Sequence, residues 1–345
     1  MTSAQAKSAF WMKIRTAAFP FRKPFPNWKK NPRNTASGLY SDYTPAKPQP
    51  RRGFLCLFLH TLLWLWQANP ILAAQAAAPL KIATWNMDWL LDATAPSSLT
   101  APSDIPHRTA SDFAKLAAYA QHLNADLIGF QEVDSLETAA RIFPASTYQI
   151  FLTQDPIIQH TGLAVRRDLR ITLNPDVTSL TIGSGAASHP LRSGLDATLY
   201  YGATKVRLLV VHLKTGCWDN PPTDRGHSCP ILVQQFSALQ QWIADRQKQR
   251  ENFIIMGDFN RRMTHDDPFF GRLSHIALLD LTTAGWASPC ENGTYFIDHI
   301  LLGGNSIDWK IPQSLHVLTY NRQETSTLSD HCAVSVKLLI PSSQQ

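Results

Sequence analysis

Acidic residues are almost missing from the start of this chain. Residues 1–53 carry eleven Lys and Arg against one acid, Asp42, and residues 54–78 carry no Asp, Glu, Lys or Arg at all. The net charge of +6 is therefore set by the beginning of the sequence. From residue 79 onward 21 basic residues stand against 25 acidic ones, a net of −4. A mildly acidic body has no general attraction to polyanions or to anionic membranes, which leaves only a local basic patch to serve that purpose. Charged residues make up 17% of the chain and hydrophobic ones 44%, so a sizeable core is expected.

Apolar runs are short as well. The stretch from Phe54 to Trp66 has thirteen residues, too few to span a bilayer as a helix. Arg51-Arg52-Gly53 precedes it and Ala74-x-Ala76 follows it. A basic segment, a short apolar centre and a small-x-small end make a secretory signal. Arg51-Arg52-x-Phe54-Leu55 also resembles part of a twin-arginine export signal. The expected organisation is a basic extension or over-called translation start at 1–53, a signal at 54–78 and one folded domain at 79–341. The mature protein is then exported, to the periplasm or outside the cell; an uncleaved anchor is the alternative. Nothing in the sequence implies a stable protein partner, and a monomer is expected.

Cysteine is sparse, with five residues, and Cys56 falls in the signal. Cys217 and Cys229 flank a short loop rich in Pro and polar residues, where export makes a disulfide plausible. Cys290 and Cys332 are either a second pair or buried thiols. Cys332 opens an alternating apolar segment, and a buried thiol is the favoured reading there.

Two common catalytic signatures are absent: the chain has no G-x-x-x-x-G-K-[ST] phosphate loop and no G-x-S-x-G elbow. No internal repeat is evident after residue 80. What is present is one design used repeatedly, an apolar strand that ends in a polar residue. Phe253-Ile254-Ile255-Met256 reads as a buried strand, which Gly257 turns to deliver Asp258 and Asn260. Leu80 to Asn86 ends in Asn86, with Asp88 close behind. Asp126 to Glu132 ends in Glu132. Val206 to Val211 runs into His212-Leu213-Lys214. Phe296 to Leu302 contains Asp298 and His299, and Ser329-Asp330-His331 precedes a strand from Ala333. Amphipathic helices are expected at about 109–123, from Phe113, Leu116, Ala120 and Leu123, and around Leu232 to Ile243. Helices that fall between strands place the chain in the α/β or α+β class.

The polar ends form an inventory of oxygen donors and histidines, with no cysteine among them. Oxygen donors suit Mg²⁺, Mn²⁺ or Ca²⁺ rather than zinc. Acids and histidines around a hard ion suit hydrolysis of phosphate esters. At a single strand end, a cap or a surface group is the simpler reading; six such ends in one chain have no comparably simple explanation.

Taken in order, Thr84-Trp85-Asn86, Gln131-Glu132, Val211-His212-Leu213-Lys214, Gly257-Asp258-Phe259-Asn260, Ile297-Asp298-His299 and Ser329-Asp330-His331 resemble the endonuclease/exonuclease/phosphatase superfamily over residues 80–340. The resemblance implies an α/β four-layered sandwich, two mixed β-sheets packed face to face with helices outside. It implies that Glu132 is the main metal ligand, with Asn86 and Asp330 near the same ion. Asp258 and Asn260 resemble the pair that handles the attacking water, His331 the phosphate-contacting histidine, and Asp298 its orienting carboxylate. His212 resembles a second histidine of the nuclease and sphingomyelinase branches. Lys214 and Arg192 are possible phosphate contacts. His299, one step out of phase with Asp298, is read as structural. The resemblance implies Mg²⁺ or Mn²⁺, with Ca²⁺ possible, and a phosphodiester substrate such as DNA. A phosphomonoesterase, a lipid-headgroup phosphodiesterase and a non-catalytic binding protein are the alternatives. Two active-site histidines also lead to the expectation of a pH limb in the ordinary histidine range.

Overall fold

The computed structural model describes residues 78–341, apart from 100, 104, 183–190, 227, 291–292, 322–323 and 325–326. The basic extension and nearly all of the export segment lie outside the described residues. Among the described residues no helix is long and apolar enough to cross a membrane.

Among the described residues twelve strands form two six-stranded sheets. The first contains β1 (Leu80–Leu90), β2 (Leu127–Val133), β3 (Tyr148–Leu152), β4 (His160–Arg166), β11 (His316–Leu318) and β12 (Ala333–Leu338), in the order β11-β12-β1-β2-β4-β3. The second contains β5 (Arg170–Leu173), β6 (Leu195–Tyr201), β7 (Thr204–His212), β8 (Asn252–Asp258), β9 (Leu279–Leu281) and β10 (Asp298–Gly303), in the order β5-β6-β7-β8-β10-β9. Each sheet has one parallel pair at its centre, β1 with β2 and β7 with β8, and each pair is joined by a helical crossover. Those helices are α1 (Ala110–Leu123) and α3 (Cys229–Gln249). Two shorter ones, α2 (Leu136–Ile142) and α4 (Pro268–Ser274), complete the outer layers.

Alternation along the strands builds the layers. Ile82, Leu127, Val206, Leu208, Val210, Ile254, Met256, Ile300 and Val336 share one buried cluster between the sheets. The opposite phase of the first sheet, Ala83, Trp85, Ile128 and Phe130, packs with Phe113, Leu116 and Ala120 of α1. The opposite phase of the second, Leu209, Val211, Phe253, Ile255 and Leu301, packs with Leu232, Phe236 and Leu239 of α3. Burying each such side chain contributes about 1.5–3 kcal/mol against the entropy of ordering the chain. The result is a four-layered α/β sandwich with helices on both outer faces.

The helix ends follow the sequence. Thr109 caps α1: its side chain accepts the Asp112 N–H, and the Asp112 carboxylate accepts the Thr109 N–H. Asn124 ends the helix in a left-handed conformation. Helix α3 is longer than its apolar spacing announces. It starts at Cys229, which is bonded to Cys217 across a Cα separation of 4.9 Å. Strand β1 also runs past Asn86 to Leu90, with its register against β2 shifting between those residues.

Cys332 corrects the sequence reading. It is no free thiol but is bonded to Cys290, with Cα atoms 6.0 Å apart. The alternation that makes Cys332 buried is present, but its partner comes from the loop that leads into β10, 42 residues away in sequence.

Candidate active site

The interior phase of four strands is buried along its length, mainly apolar with Thr84 the exception, and carries a hydrogen-bonding or ionisable group at one end. Asn86 follows Ile82 and Thr84; His212 follows Val206, Leu208 and Val210; Asp258 follows Ile254 and Met256; Asp298 precedes Ile300 and Leu302. Strand pairing sets Asp298 opposite Asp258 and His212 beside Asp258. A period of two therefore sends all four polar side chains into the same end of the gap between the sheets.

Glu132 reaches this point by a different route. Its neighbours Ile128 and Phe130 face the helices, and strict alternation would send Glu132 the same way. Instead Glu132 has φ 64, and the register between β2 and β4 slips between Gln131 and Val133. A left-handed non-glycine residue is costly and is held only by its surroundings. Here Asn86 Nδ2 donates to Glu132 Oε1 at 3.0 Å, the Trp89 backbone N–H donates to Oε2 at 3.1 Å and Gln159 Nε2 donates to Oε2 at 2.7 Å. Asp88, Trp89 and Asn260 also have positive φ, at 47°, 53° and 50°. Gly257 has φ 148, and a Cβ there would lie 1.9 Å from the Val211 carbonyl oxygen, so only glycine fits before Asp258.

Asp258 is the centre of the hydrogen bonding. Its Oδ2 accepts from Asn86 Nδ2 and Asn260 Nδ2, each at 3.0 Å, and its Oδ1 accepts the Asn260 N–H at 2.8 Å. His212 Nε2 lies 3.4 Å from Glu132 Oε1 and 3.6 Å from Asp258 Oδ2. His331 Nδ1 donates to Asp298 Oδ2 at 2.7 Å, which turns its Nε2 toward Asp258 Oδ2, 4.0 Å away. Ser329 supports this corner by donating to the Asn86 carbonyl oxygen and accepting the His331 N–H.

The electrostatics separate the two histidines. Burial, then Arg192 and His331, hold His212 well below the usual imidazole range, so it is neutral. Burial would also lower His331, but the Asp298 carboxylate, with Asp258 and Asp330, outweighs it and holds His331 well above that range, so it is charged. The two rings are thus shifted in opposite directions from the ordinary imidazole value. Asp258 is pushed up to about 8, first by burial and then by Asp298 and Glu132, against the pull of His331.

The remaining expected residues lie at graded distances from this centre. Arg192 is buried, donates Nη1 to Gln159 Oε1 at 3.2 Å, and so backs the amide that holds Glu132. Lys214 is half-buried, and its Nζ donates to the Thr215 carbonyl oxygen at 3.2 Å. Asp330 is exposed, with Oδ1 3.8 Å from His331 Nε2. His299 is buried on the helical side, bonded to the Arg261 carbonyl oxygen at 2.9 Å and to Thr283 Oγ1 at 2.5 Å, so it takes no part in the cluster.

The donor set fits a hard divalent ion. Asp88 is pushed up to about 6 by burial and by Asp330 and Glu132, with Arg108, 3.5 Å away, and His331 offsetting part of the crowding. Asp330 and Glu132 crowd Asp88, and a cation with oxygen preference would relieve them. Asp258, Asp298 and His331 also have ligand atoms within 4.8 Å of one another. Among the described residues that trio is the group of acids and histidines with ligand atoms so close together.

A sequence profile described as the Endonuclease/Exonuclease/phosphatase family matches residues 83–331. The chain belongs to that family. Its members are hydrolytic phosphoesterases, and this family member is a phosphoesterase on the same fold. Solved structures share the architecture. Truncated TDP2 from Caenorhabditis elegans is 19% identical, with a TM-score of 0.51 over 75% of this chain and 97% of that one. The human nocturnin catalytic domain, solved with a bound sulfate anion, is 14% identical, with a TM-score of 0.51 over 75% and 93%. A 3′-5′ exonuclease from Neisseria meningitidis is 16% identical, with a TM-score of 0.50 over 75% and 99%. Identities this low speak for the fold alone. No curated protein matches the sequence.

The structure brings in groups that the motifs of this family member did not include. Gln159 stands immediately before β4, at the same end of the first sheet as Glu132, and was open to the strand-end logic. Arg108 comes from the loop before α1 and donates to the Leu328 and Trp89 carbonyl oxygens, a role no local pattern marks.

Proposed function

We propose that this protein is an exported, divalent-metal-dependent phosphodiesterase, most naturally a nuclease. The observation that carries the reading is a pair of imidazoles from two different strand ends set on one buried carboxylate. Neutral His212 and charged His331 both direct Nε2 toward Asp258.

Asp258, held by Asn86 and Asn260, is positioned to orient an attacking water and to receive its proton. With its value pushed up to about 8, Asp258 serves as a base in its ionised fraction, which grows as pH rises. His331 keeps its Nε2–H free to donate to a phosphoryl oxygen, while Asp298 fixes the ring and its charge. His212 adds a second Nε2–H donor from the neighbouring strand. Glu132, Asp88 and Asp330 would hold Mg²⁺ or Mn²⁺, with Asn86 orienting Glu132. A bound ion would offset charge on the phosphoryl oxygens and the leaving group. Diesters and monoesters both expel an alkoxide, so the positioned donors serve either, and turnover of the two ester types decides between them. Lys214 and Arg192 add positive charge on the same side.

Export is supported by two disulfides, which persist in oxidising compartments, together with the basic–apolar–small pattern at 51–76. N-terminal sequencing of the mature protein should begin near Ala77; a chain that retains Phe54 to Trp66 contradicts export by cleavage. The substrate is tested with a panel of plasmid DNA, RNA, a bis-aryl phosphodiester, aryl phosphomonoesters and sphingomyelin, with Mg²⁺ and with Mn²⁺. Turnover of the nucleic acids and the bis-aryl diester supports the proposal. Activity confined to monoesters or to sphingomyelin overturns the nuclease reading.

A further inference from the structure

Among the described residues, three aromatic side chains are exposed: Trp218 at 43%, Trp286 at 57% and Tyr295 at 41%. Single exposed apolar side chains are ordinary on a protein surface. These three are not scattered. Trp218 lies in the loop closed by Cys217–Cys229, and Trp286 and Tyr295 lie in the loop that carries Cys290. Both loops open from the polar end of the sandwich.

Trp218 follows His212 by six residues, and its backbone pairs with Arg261, next to Asn260. Tyr295 is three residues before Asp298, a span of no more than about 10 Å of chain. The Cys290–Cys332 bond ties its loop to the residue beside His331. The two loops that carry the rings therefore flank the strand ends that bear the two histidines.

Their backbones are held firmly. Arg261 is buried, donates to the Asn220 carbonyl oxygen at 2.6 Å and is paired with Asp267. Arg262 is paired with Asp219 at 2.6 Å. On the other loop Ala287 bridges Tyr295, and the Ser288 N–H donates to the Thr294 carbonyl oxygen at 2.7 Å. A fixed backbone that presents exposed rings loses little entropy when a flat ligand stacks on it.

We infer that the two disulfide-bonded loops form a stacking rim for unpaired nucleobases, so that single-stranded nucleic acid is the preferred polymer. This rests on the phosphodiesterase reading and names the substrate class of the same site. Stacking is sequence-tolerant and requires bases already out of a duplex. The charge balance agrees. From residue 79 onward the chain has a net charge of −4, so the long-range attraction that grips a duplex backbone is missing and affinity must come from elsewhere. Lys214 and Arg192 then serve one phosphate at the centre, with rings on either side for the adjoining bases.

The test is fluorescence anisotropy with the wild-type mature protein in EDTA. Three fluorescein-labelled probes of equal length are used: oligothymidylate, a base-free tetrahydrofuran phosphodiester chain, and a duplex. The expected order is oligothymidylate tightest, by about tenfold over the base-free chain, with the duplex weaker than oligothymidylate. Trp218→Ala and Trp286→Ala should each lower affinity for oligothymidylate by about fivefold or more, and Trp218→Phe, which keeps a ring, should recover most of it. Equal affinity for the base-free chain, tighter binding of the duplex, or indifference to both alanine changes overturns the inference. Hydrolysis, measured separately with Mg²⁺, decides the phosphodiesterase reading. A protein that cleaves diesters but shows no preference for bases loses only the rim.

Discussion

Asn86 Nδ2 lies 3.0 Å from Asp258 Oδ2, a hydrogen bond that runs from the first sheet to the second. The same amide nitrogen donates to Glu132 Oε1, and the Asp88 N–H fixes its other end by donating to Oδ1 at 2.9 Å. Asn86 thus spaces the two acids of the site while both sheets stay packed behind it.

Replacing Asn86 tests that bridge. Asn86→Ala removes one of the two amide donors to Asp258 Oδ2 and the amide donor to Glu132 Oε1, hydrogen bonds to charged groups that contribute about 1.5–3 kcal/mol each. The melting temperature should fall by several degrees, and kcat by about 10²-fold or more because Asp258 loses its alignment. Asn86→Asp should be worse for activity, since it sets a third carboxylate against Glu132 and Asp258. Unchanged kcat in both variants contradicts the bridge.

The His331–Asp298 pair gives a pH signature with a definite sign. The folded state raises the affinity of His331 for its proton, so folding binds more protons than the unfolded chain does. The stabilisation is fully present below the unfolded value of 6.5 and is lost as pH rises through the higher folded value. Denaturant unfolding of wild type and Asp298→Asn should therefore differ most near pH 6 and converge toward alkaline pH. A gap that widens with rising pH contradicts the assigned charge.

Much of this site is readable in advance because a period of two is a strong rule. Asn86, His212, Asp258 and Asp298 lie in phase with the apolar residues of their own strands, and the pattern alone sends them to one side. His299 is one step out of phase, and its buried structural place follows from the same rule. Glu132 is out of phase too, yet it reaches the site through a left-handed turn that no glycine announces. Arg108 and Gln159 arrive from loops, where no period operates. Strands β9 and β11, three residues each, are too short to show an alternation, and the Cys290–Cys332 pairing depends on chain packing across 42 residues.

The two disulfides should differ in weight. Closing the loop from Cys217 to Cys229, 12 residues apart, should contribute about 3 kcal/mol, and the bond from Cys290 to Cys332, 42 apart, about 4 kcal/mol. Each Cys→Ser pair, unfolded without reductant, should show that loss. Mass mapping of the unreduced protein should find both pairings, and free thiols at either pair contradict the assignment.

The central claim is metal-dependent attack on a phosphodiester, and the direct measurement compares a diester and a monoester of one alcohol. With Mg²⁺ or Mn²⁺ the diester should turn over faster. EDTA should abolish that turnover and added Mg²⁺ restore it. Glu132→Gln should reduce turnover by orders of magnitude and weaken Mn²⁺ binding by calorimetry, with the fold retained. Faster turnover of the monoester, or diester cleavage indifferent to EDTA, contradicts the account.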